Sequence, residues 1–370
     1  MISILHVYSS WTPGGAEKVM LLLANCLEKS GVRNIIASPK NSFLFNEAVK
    51  SGLKTHSLRI NGSFDPIGIL KLLYIARKEH VDIIHAHQGK VFWPCIIAKL
   101  LSGGRIGVVF HRHAQLAHRF YSRGHYKIAD KVIAISKAVA SGLIQREKVP
   151  AGKVEVVYNG TDFDRFSGAV SGETVRKQYG LSGKTVIGTA AAMNYPKGKG
   201  QKYLIEAAKT LTAKYDNLIF LIVGTGPMLG DFKEYAKALG VADKIIFAGQ
   251  QSKVEEYIAA MDIFCLLSWD TEGFGQVVVE AQALGKPVIA TNVGGIPEAF
   301  EDGMGGILIE PENTAAVVEA VSKLLDNPRK ASEMGRAGQS FVYKNFSLSL
   351  MVSKIGRIYQ DILSAVQERK

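Results

Sequence analysis

Cysteine is scarce. Cys26, Cys95 and Cys265 are the only three in 370 residues, each in apolar surroundings and none at metal-like spacing. This excludes a disulfide framework and a cysteine-based zinc module, and leaves buried reduced thiols. In a reducing setting the Asn-x-Ser/Thr sequons at Asn61, Asn159 and Asn345 are expected to carry no glycan. Long hydrophobic runs are also missing, because the apolar stretches stop well short of the ~20 residues that a membrane helix needs. The start, Met1-Ile2-Ser3-Ile4-Leu5, lacks the basic residues of a secretory leader, so a cytoplasmic protein is expected. Zinc-finger spacing, RNP-like aromatic strands and KH-type loops are absent too, which argues against nucleic acid as a partner.

Acid is short as well, but only locally. Residues 1–165 hold 23 Lys and Arg against 11 Asp and Glu, whereas residues 166–370 hold 22 of each. All nine histidines fall in the first half, and residues 99–153 hold 11 basic side chains against 2 acidic ones. The net charge of +12 therefore belongs to one half of the chain. A positive face of this size suits a phosphate-bearing lipid, an anionic membrane surface or an acidic glycan. His87, Arg112, Arg119, Arg123 and Lys127 are expected to contribute to it.

With 370 residues, 47% of them hydrophobic, the chain is too long for one ordinary core and can fill two, of roughly 150 to 200 residues each. In the first half, short apolar strands at 2–8, 34–38, 83–85, 107–110, 129–135 and 153–157 alternate with amphipathic helices at 16–29, 67–79 and 91–101. Turn chemistry from Asn159 to Ser171 interrupts the pattern. A second series follows, with strands at 186–190, 218–223, 245–248, 263–267 and 288–290, and helices at 201–215, 228–239, 254–260 and 277–284. Strands alternating with helices build parallel sheets covered on both faces. The expected class is α/β, with two Rossmann-like doubly wound domains, residues 1–166 and 167–346, facing a central cleft. Residues 347–370 read as a closing helix, since Leu350, Val352, Ile355, Ile358 and Ile362 keep close to helical spacing.

Chemistry is densest in Glu272-Gly273-Phe274-Gly275-Gln276-Val277-Val278-Val279-Glu280, where two carboxylates flank a glycine-rich turn that opens a helix. The first amides of a helix lack intrahelical partners and bind phosphate well. Gly273, Phe274, Gly275, Gln276 and Val277 supply that cradle, and Glu280, one turn in, is placed to accept hydrogen bonds from hydroxyls. A ligand with hydroxyls at both ends of a diphosphate is a sugar nucleotide. Three further segments follow strands: the Gly14-Gly15 loop, the Gly224-Thr225-Gly226 loop, and Lys199-Gly200 just before a helix. His111-Arg112-His113 ends another strand, an unusual polar cluster.

Taken with the run from Ala281 to Pro297, these segments resemble the donor-binding signature of family 4 retaining glycosyltransferases. The resemblance spans nearly the whole chain and is most specific from Glu272 to Pro297. It implies the GT-B architecture, in which the C-terminal domain binds the nucleotide, the N-terminal domain binds the acceptor and the last helix returns to the first domain. It implies that Gly15 lets the donor phosphate approach bare backbone, and that Gly224 and Gly226 lie beneath the nucleotide with residues 247–251 lining the base pocket. Lys199 would contact the diphosphate; Asn194 stands where the family has an arginine, and Lys197 is available to replace that charge. Glu280 is assigned to ribose hydroxyls. Glu272 is assigned to hydroxyls of the donor sugar, with a nucleophilic role as the alternative. His113, or else His111, would approach the transferred sugar, so His113, Lys199 and Glu272 form the expected catalytic set. The implied activity is retaining, metal-independent hexosyl transfer from a UDP- or GDP-sugar to an acceptor hydroxyl on a glycan or lipid-linked molecule, with no cofactor. The implied setting is bacterial envelope polysaccharide or lipopolysaccharide assembly, with the protein cytoplasmic and peripheral on the inner face of the membrane. The rivals are a sugar-nucleotide epimerase of the same fold and a basic membrane- or nucleic-acid-binding scaffold.

Overall fold

The computed structural model describes residues 1–11, 14–114, 123–196 and 198–368, the side chain of Arg123 excepted. The chain divides into two compact units, Met1–Gly160 with Leu348–Lys370, and Thr161–Ser347.

The first unit is built on a parallel sheet of β1 (Ser3–Val7), β2 (Arg33–Ser38), β3 (Lys54–Ser57), β4 (Ile83–Ala86), β5 (Gly107–Arg112), β6 (Lys131–Ala134) and β7 (Val154–Val156). Their order across the sheet is β3-β2-β1-β4-β5-β6-β7. Every residue of β1, β4 and β5 is buried, which is what a central parallel strand with helices on both faces requires. The C-terminal helix Leu348–Gln367 is one of those covers. Its Met351, Ile355, Ile358, Tyr359, Ile362 and Val366 form a single stripe at helical spacing and bury against Ile4, Ile83, Val109 and Ile133. The expected return of the last helix to the first domain is thus observed within this unit.

The second unit holds β8 (Thr185–Ala190), β9 (Leu218–Val223), β10 (Ile245–Gly249), β11 (Ile263–Leu266), β12 (Val288–Thr291) and β13 (Gly306–Ile309). Their order is β10-β9-β8-β11-β12-β13, again all parallel. Both sheets are doubly wound, as the alternating pattern implied. Several elements went unread in the sequence: the helix Phe43–Lys50 with β3, the helix Lys137–Gln145, and the stretch containing β13 and the helices Thr314–Leu325 and Pro328–Asn345.

In an open sheet of this type the strand order reverses at one point, and the loops leaving the two strands on either side diverge to form a crevice at their carboxyl ends. In the first unit that point lies between β1 and β4. In the second it lies between β8 and β11.

Candidate active site

The switch point of the second unit brings two expected catalytic residues together. The loop after β8 carries Lys199 and the loop after β11 carries Glu272, and Lys199 Nζ donates to Glu272 Oε2 at 2.8 Å. Ser268 Oγ donates to the same oxygen at 3.2 Å, and Lys199 Nζ also reaches the Thr271 carbonyl at 3.3 Å. Lys199 is held by its own backbone: its N–H donates to Gln201 Oε1 at 2.7 Å, while the buried Gln201 amide donates to the Ala191 and Ala192 carbonyls. Both ends of the loop are tied down by this one side chain. Lys199 and Glu272, both expected at the donor, are thus paired with each other.

Immediately beyond, Gly275 adopts φ +86° as the N-cap of the helix Gln276–Ala283, and Phe274 is buried beneath it. The left-handed conformation turns the chain so that the helix begins at the switch point, with its first amides and the positive end of its dipole there. Gln276 Nε2 donates to Thr161 Oγ1 at 2.8 Å. Glu280 is half-buried one turn along. Arg165 lies in its field, and the Arg165 guanidinium is bound to Glu255 at 2.7 Å and held above its usual pKa, first by that hydrogen bond and also by the Glu280 charge. Sequence reasoning missed Thr161 and Arg165, which meet Gln276 and Glu255 from 115 and 90 positions away, and also Ser268 and Gln201, which lie within four residues of Glu272 and Lys199 but carry no motif of their own. Gly224 and Gly226 stand after β9 as expected, but a Cβ on either would strike protein backbone, at 2.1 Å from the Ala191 carbonyl oxygen and 2.4 Å from that of Met193. These glycines thus also serve loop packing.

In the first unit the loop after β1 leads through Gly14 into the helix Gly15–Lys29. Among the described residues, apart from its chain neighbours and its own helix backbone, nothing lies within 4 Å of a Cβ placed on Gly15. Glu17, in the first turn, is buried, and burial pushes its pKa up. A less acidic Glu17 leaves the positive helix end better suited to an anion than an ionised one would.

Across β1, β4 and β5, alternate residues put His6, His85, His87, His111 and His113 on one face, with His6 in register with His85. His6 Nδ1 lies 3.0 Å from His87 Nε2, and His87 Nδ1 lies 3.4 Å from His113 Nε2. Behind them His6 Nε2 meets Asn34 Oδ1 at 3.0 Å, and His85 Nδ1 meets the Tyr359 hydroxyl at 2.6 Å. The rings of His85 and His87 stack with centroids 4.0 Å apart, and those of His111 and His113 at 4.2 Å. Burial lowers the His6 and His113 pKa to about 4 from 6.5. His85, His87 and His111 fall well below the usual value, by burial first and then by their mutual repulsion. All five are therefore neutral near pH 7. The triplets His6–His85–His87 and His87–His111–His113 each bring ligand nitrogens within 4.8 Å of one another. Zinc requires nitrogen lone pairs converging at about 2.0–2.1 Å. Here rings lie face to face and edges pair nitrogen to nitrogen, which fits hydrogen-bonded neutral imidazoles better than a coordination shell.

The expected basic surface needs correction. Arg112 is 5% exposed and is bonded to Glu147 Oε1 at 3.2 Å and to the Tyr126 hydroxyl at 3.0 Å, a buried ion pair rather than a surface cation. His87 is likewise buried inside the imidazole ladder. Lys127 is exposed as expected. Arg119, Lys197 and the side chain of Arg123 lie outside the described residues.

Comparison with known proteins decides the family. The profile for glycosyl transferases group 1 matches residues 173–341, and that for glycosyltransferase family 4 matches residues 13–165. The N-acetyl-alpha-D-glucosaminyl L-malate synthase of Bacillus anthracis is 30% identical over 79% of this chain and 78% of its own length. The chain belongs to glycosyltransferase family 4. The UDP-Gal:alpha-D-GlcNAc-diphosphoundecaprenol alpha-1,3-galactosyltransferase of Escherichia coli is 25% identical over 98% of this chain and 97% of its own. The crystal structure of Anabaena HepE in complex with UDP superposes with a TM-score of 0.85 at 22% identity, covering 98% of this chain and all of that one, and shares the GT-B-type fold. This family 4 glycosyltransferase is therefore a sugar-transferring enzyme, and the epimerase and scaffold readings are not favoured. Among the described residues no helix is long and apolar enough to cross a membrane.

Proposed function

We propose that this glycosyltransferase moves a hexose from a UDP- or GDP-sugar to a hydroxyl of a glycan or lipid-linked acceptor, with retention of configuration, in bacterial envelope polysaccharide or lipopolysaccharide assembly. The observation that carries the reading is the Lys199–Glu272 pair beside the helix that starts after Gly275. A donor entering this switch point exchanges partners with the pair: its diphosphate takes Lys199 and the helix amides, and its sugar hydroxyls take the freed Glu272 carboxylate. Breaking the anomeric bond moves negative charge onto the diphosphate, and donors fixed in advance stabilise that charge as it grows. Lys199 and the amides supply the positive charge that a metal would otherwise bring, so the reaction needs neither metal nor cofactor. Glu280 holds the ribose, and His113 faces the sugar. The names of the relatives support the setting, one of them acting on a diphosphoundecaprenol-linked sugar. A thermal-shift screen across UDP, GDP, ADP and their sugars tests the donor, because a true donor stabilises only the folded state. The anomeric configuration of the product, read by NMR, tests retention; an inverted product refutes it.

Peripheral membrane binding is proposed on a different surface from the one the sequence pointed to. The outer face of the helix Pro66–Lys78 exposes Ile67, Leu70 and Tyr74 beside Lys71, Arg77 and Lys78, and Phe64 is exposed just before it. No acid stands on that face. Apolar side chains among cations suit the interface of an anionic bilayer, where each cation contributes about 1 kcal/mol. Co-sedimentation with phosphatidylglycerol vesicles, but not with phosphatidylcholine vesicles, is expected for the wild type and is expected to be lost in Ile67→Glu/Leu70→Glu. Equal binding by the variant refutes this face.

A further inference from the structure

The imidazole ladder has a direction, and it can be derived from one amide. Asn34 is buried, and its Nδ2 donates to the Val32 carbonyl at 2.7 Å and to Glu28 Oε2 at 3.2 Å. Both partners only accept, so the amide cannot be flipped, and Oδ1 is the atom that faces His6. An amide oxygen only accepts, so His6 Nε2 carries the hydrogen in that contact. In a neutral ring Nδ1 is then the acceptor, and the 3.0 Å contact requires His87 Nε2 to donate. His87 Nδ1 is left as an acceptor in turn, so His113 Nε2 donates across 3.4 Å. At the end of this chain the Nδ1 of His113 keeps its lone pair; it is buried and has no partner among the described residues. The stacked His85 ring, tethered to Tyr359 of the C-terminal helix, holds the plane of His87.

We propose that Asn34, His6 and His87 are positioning residues that lock His113 in its Nε2–H form, leaving Nδ1 as its hydrogen-bond acceptor at the carboxyl end of the sheet. The sheet accounts for the arrangement. Parallel β1, β4 and β5 place the three rings in successive rows that climb toward the carboxyl end, and Asn34 of the neighbouring β2 closes the chain at its inner end. An unlocked imidazole divides itself between two tautomers, only one of which accepts through Nδ1. The consequence for catalysis rests on the proposed function; the tautomer itself does not.

The test is long-range proton–nitrogen NMR on the full chain labelled with 15N-histidine, with His113 assigned by comparison with His113→Gln. The wild type is expected to show His113 with a protonated Nε2 and a bare Nδ1. Asn34→Leu removes the anchor, and His87→Phe cuts the chain while keeping an aromatic ring in the stack; both are expected to turn His113 into a mixture of tautomers. Two variants are used so that misfolding of one leaves the other as the test. Kinetics on the same proteins should show kcat/KM reduced by about tenfold, the loss of one ordinary hydrogen bond. A wild-type His113 protonated on Nδ1, a tautomer unchanged in both variants, or rings found carrying a metal in the purified protein would each overturn the proposal. Absence of sugar transfer with the expected tautomers would instead refute the proposed function and leave the lock standing.

Discussion

Mild acid should unfold the histidine-bearing unit selectively. His6 and His113 titrate at about 4 in the folded protein against 6.5 when exposed, and His85, His87 and His111 are lowered still more clearly. Between those values the unfolded chain binds protons that the folded chain does not, so stability is complete above pH 6.5 and falls as the pH drops toward 4. At pH 5.5 each buried neutral imidazole costs on the order of 1 kcal/mol, so the five together cost several kcal/mol, a large share of the stability of an ordinary domain. For a unit of this size that corresponds to a fall on the order of 10–20 °C in Tm. All nine histidines belong to the first unit, so the second lacks this sensitivity. A Trp269→Phe background leaves Trp11 and Trp93, both in the first unit, as fluorescence reporters for thermal melts at pH 7.5 and 5.5. Neither nitrogen of His111 has a partner among the described residues, so His111→Phe should recover part of the loss. A midpoint that falls by less than about 5 °C would refute neutral burial of the ladder.

The remaining predictions concern charges. Lys199→Ala should lower kcat by about 10²- to 10³-fold, the usual cost of removing one stabiliser of developing charge, measured under donor saturation. Glu280→Ala should instead raise the donor KM by roughly ten- to a hundredfold with a smaller effect on kcat, since it removes charge-assisted hydrogen bonds made in both ground and transition states. Arg112→Ala should destabilise the protein by about 3–5 kcal/mol in a urea titration, because it strands Glu147 as a buried charge, while vesicle binding by the fraction that folds stays unchanged.

The periodic part of the molecule was legible. β1, β4, β8 and β9 are short apolar runs bounded by turn residues, and the helix that buries Met351 through Val366 keeps its apolar residues on one stripe. The helix Pro328–Asn345 was not legible, because Gly335 and Gly338 depress its local propensity. Their purpose appears only in three dimensions: a Cβ at Gly335 would sit 2.0 Å from the Gly285 carbonyl oxygen, and one at Gly338 would lie 2.6 Å from Gln282 Nε2. The helix Phe43–Lys50 is only two turns long and buries just Leu44 and Ala48, too short a stripe to read as a period. In the site, the glycine-flanked helix start and its two acids could be read because they are contiguous. The Lys199–Glu272 pair, the Asn34–His6 anchor and the burial of Arg112 join residues 73, 28 and 35 positions apart, and only the fold brings those partners together.

The most direct test of the central claim is calorimetric titration of the wild type and of Glu280→Ala with UDP and with GDP. The expected result is saturable 1:1 binding of one nucleoside diphosphate by the wild type, weakened by roughly ten- to a hundredfold in the variant. Failure of both nucleotides to bind, or equal affinity in the two proteins, would contradict the placement of the donor at the β8–β11 switch point with its ribose on Glu280.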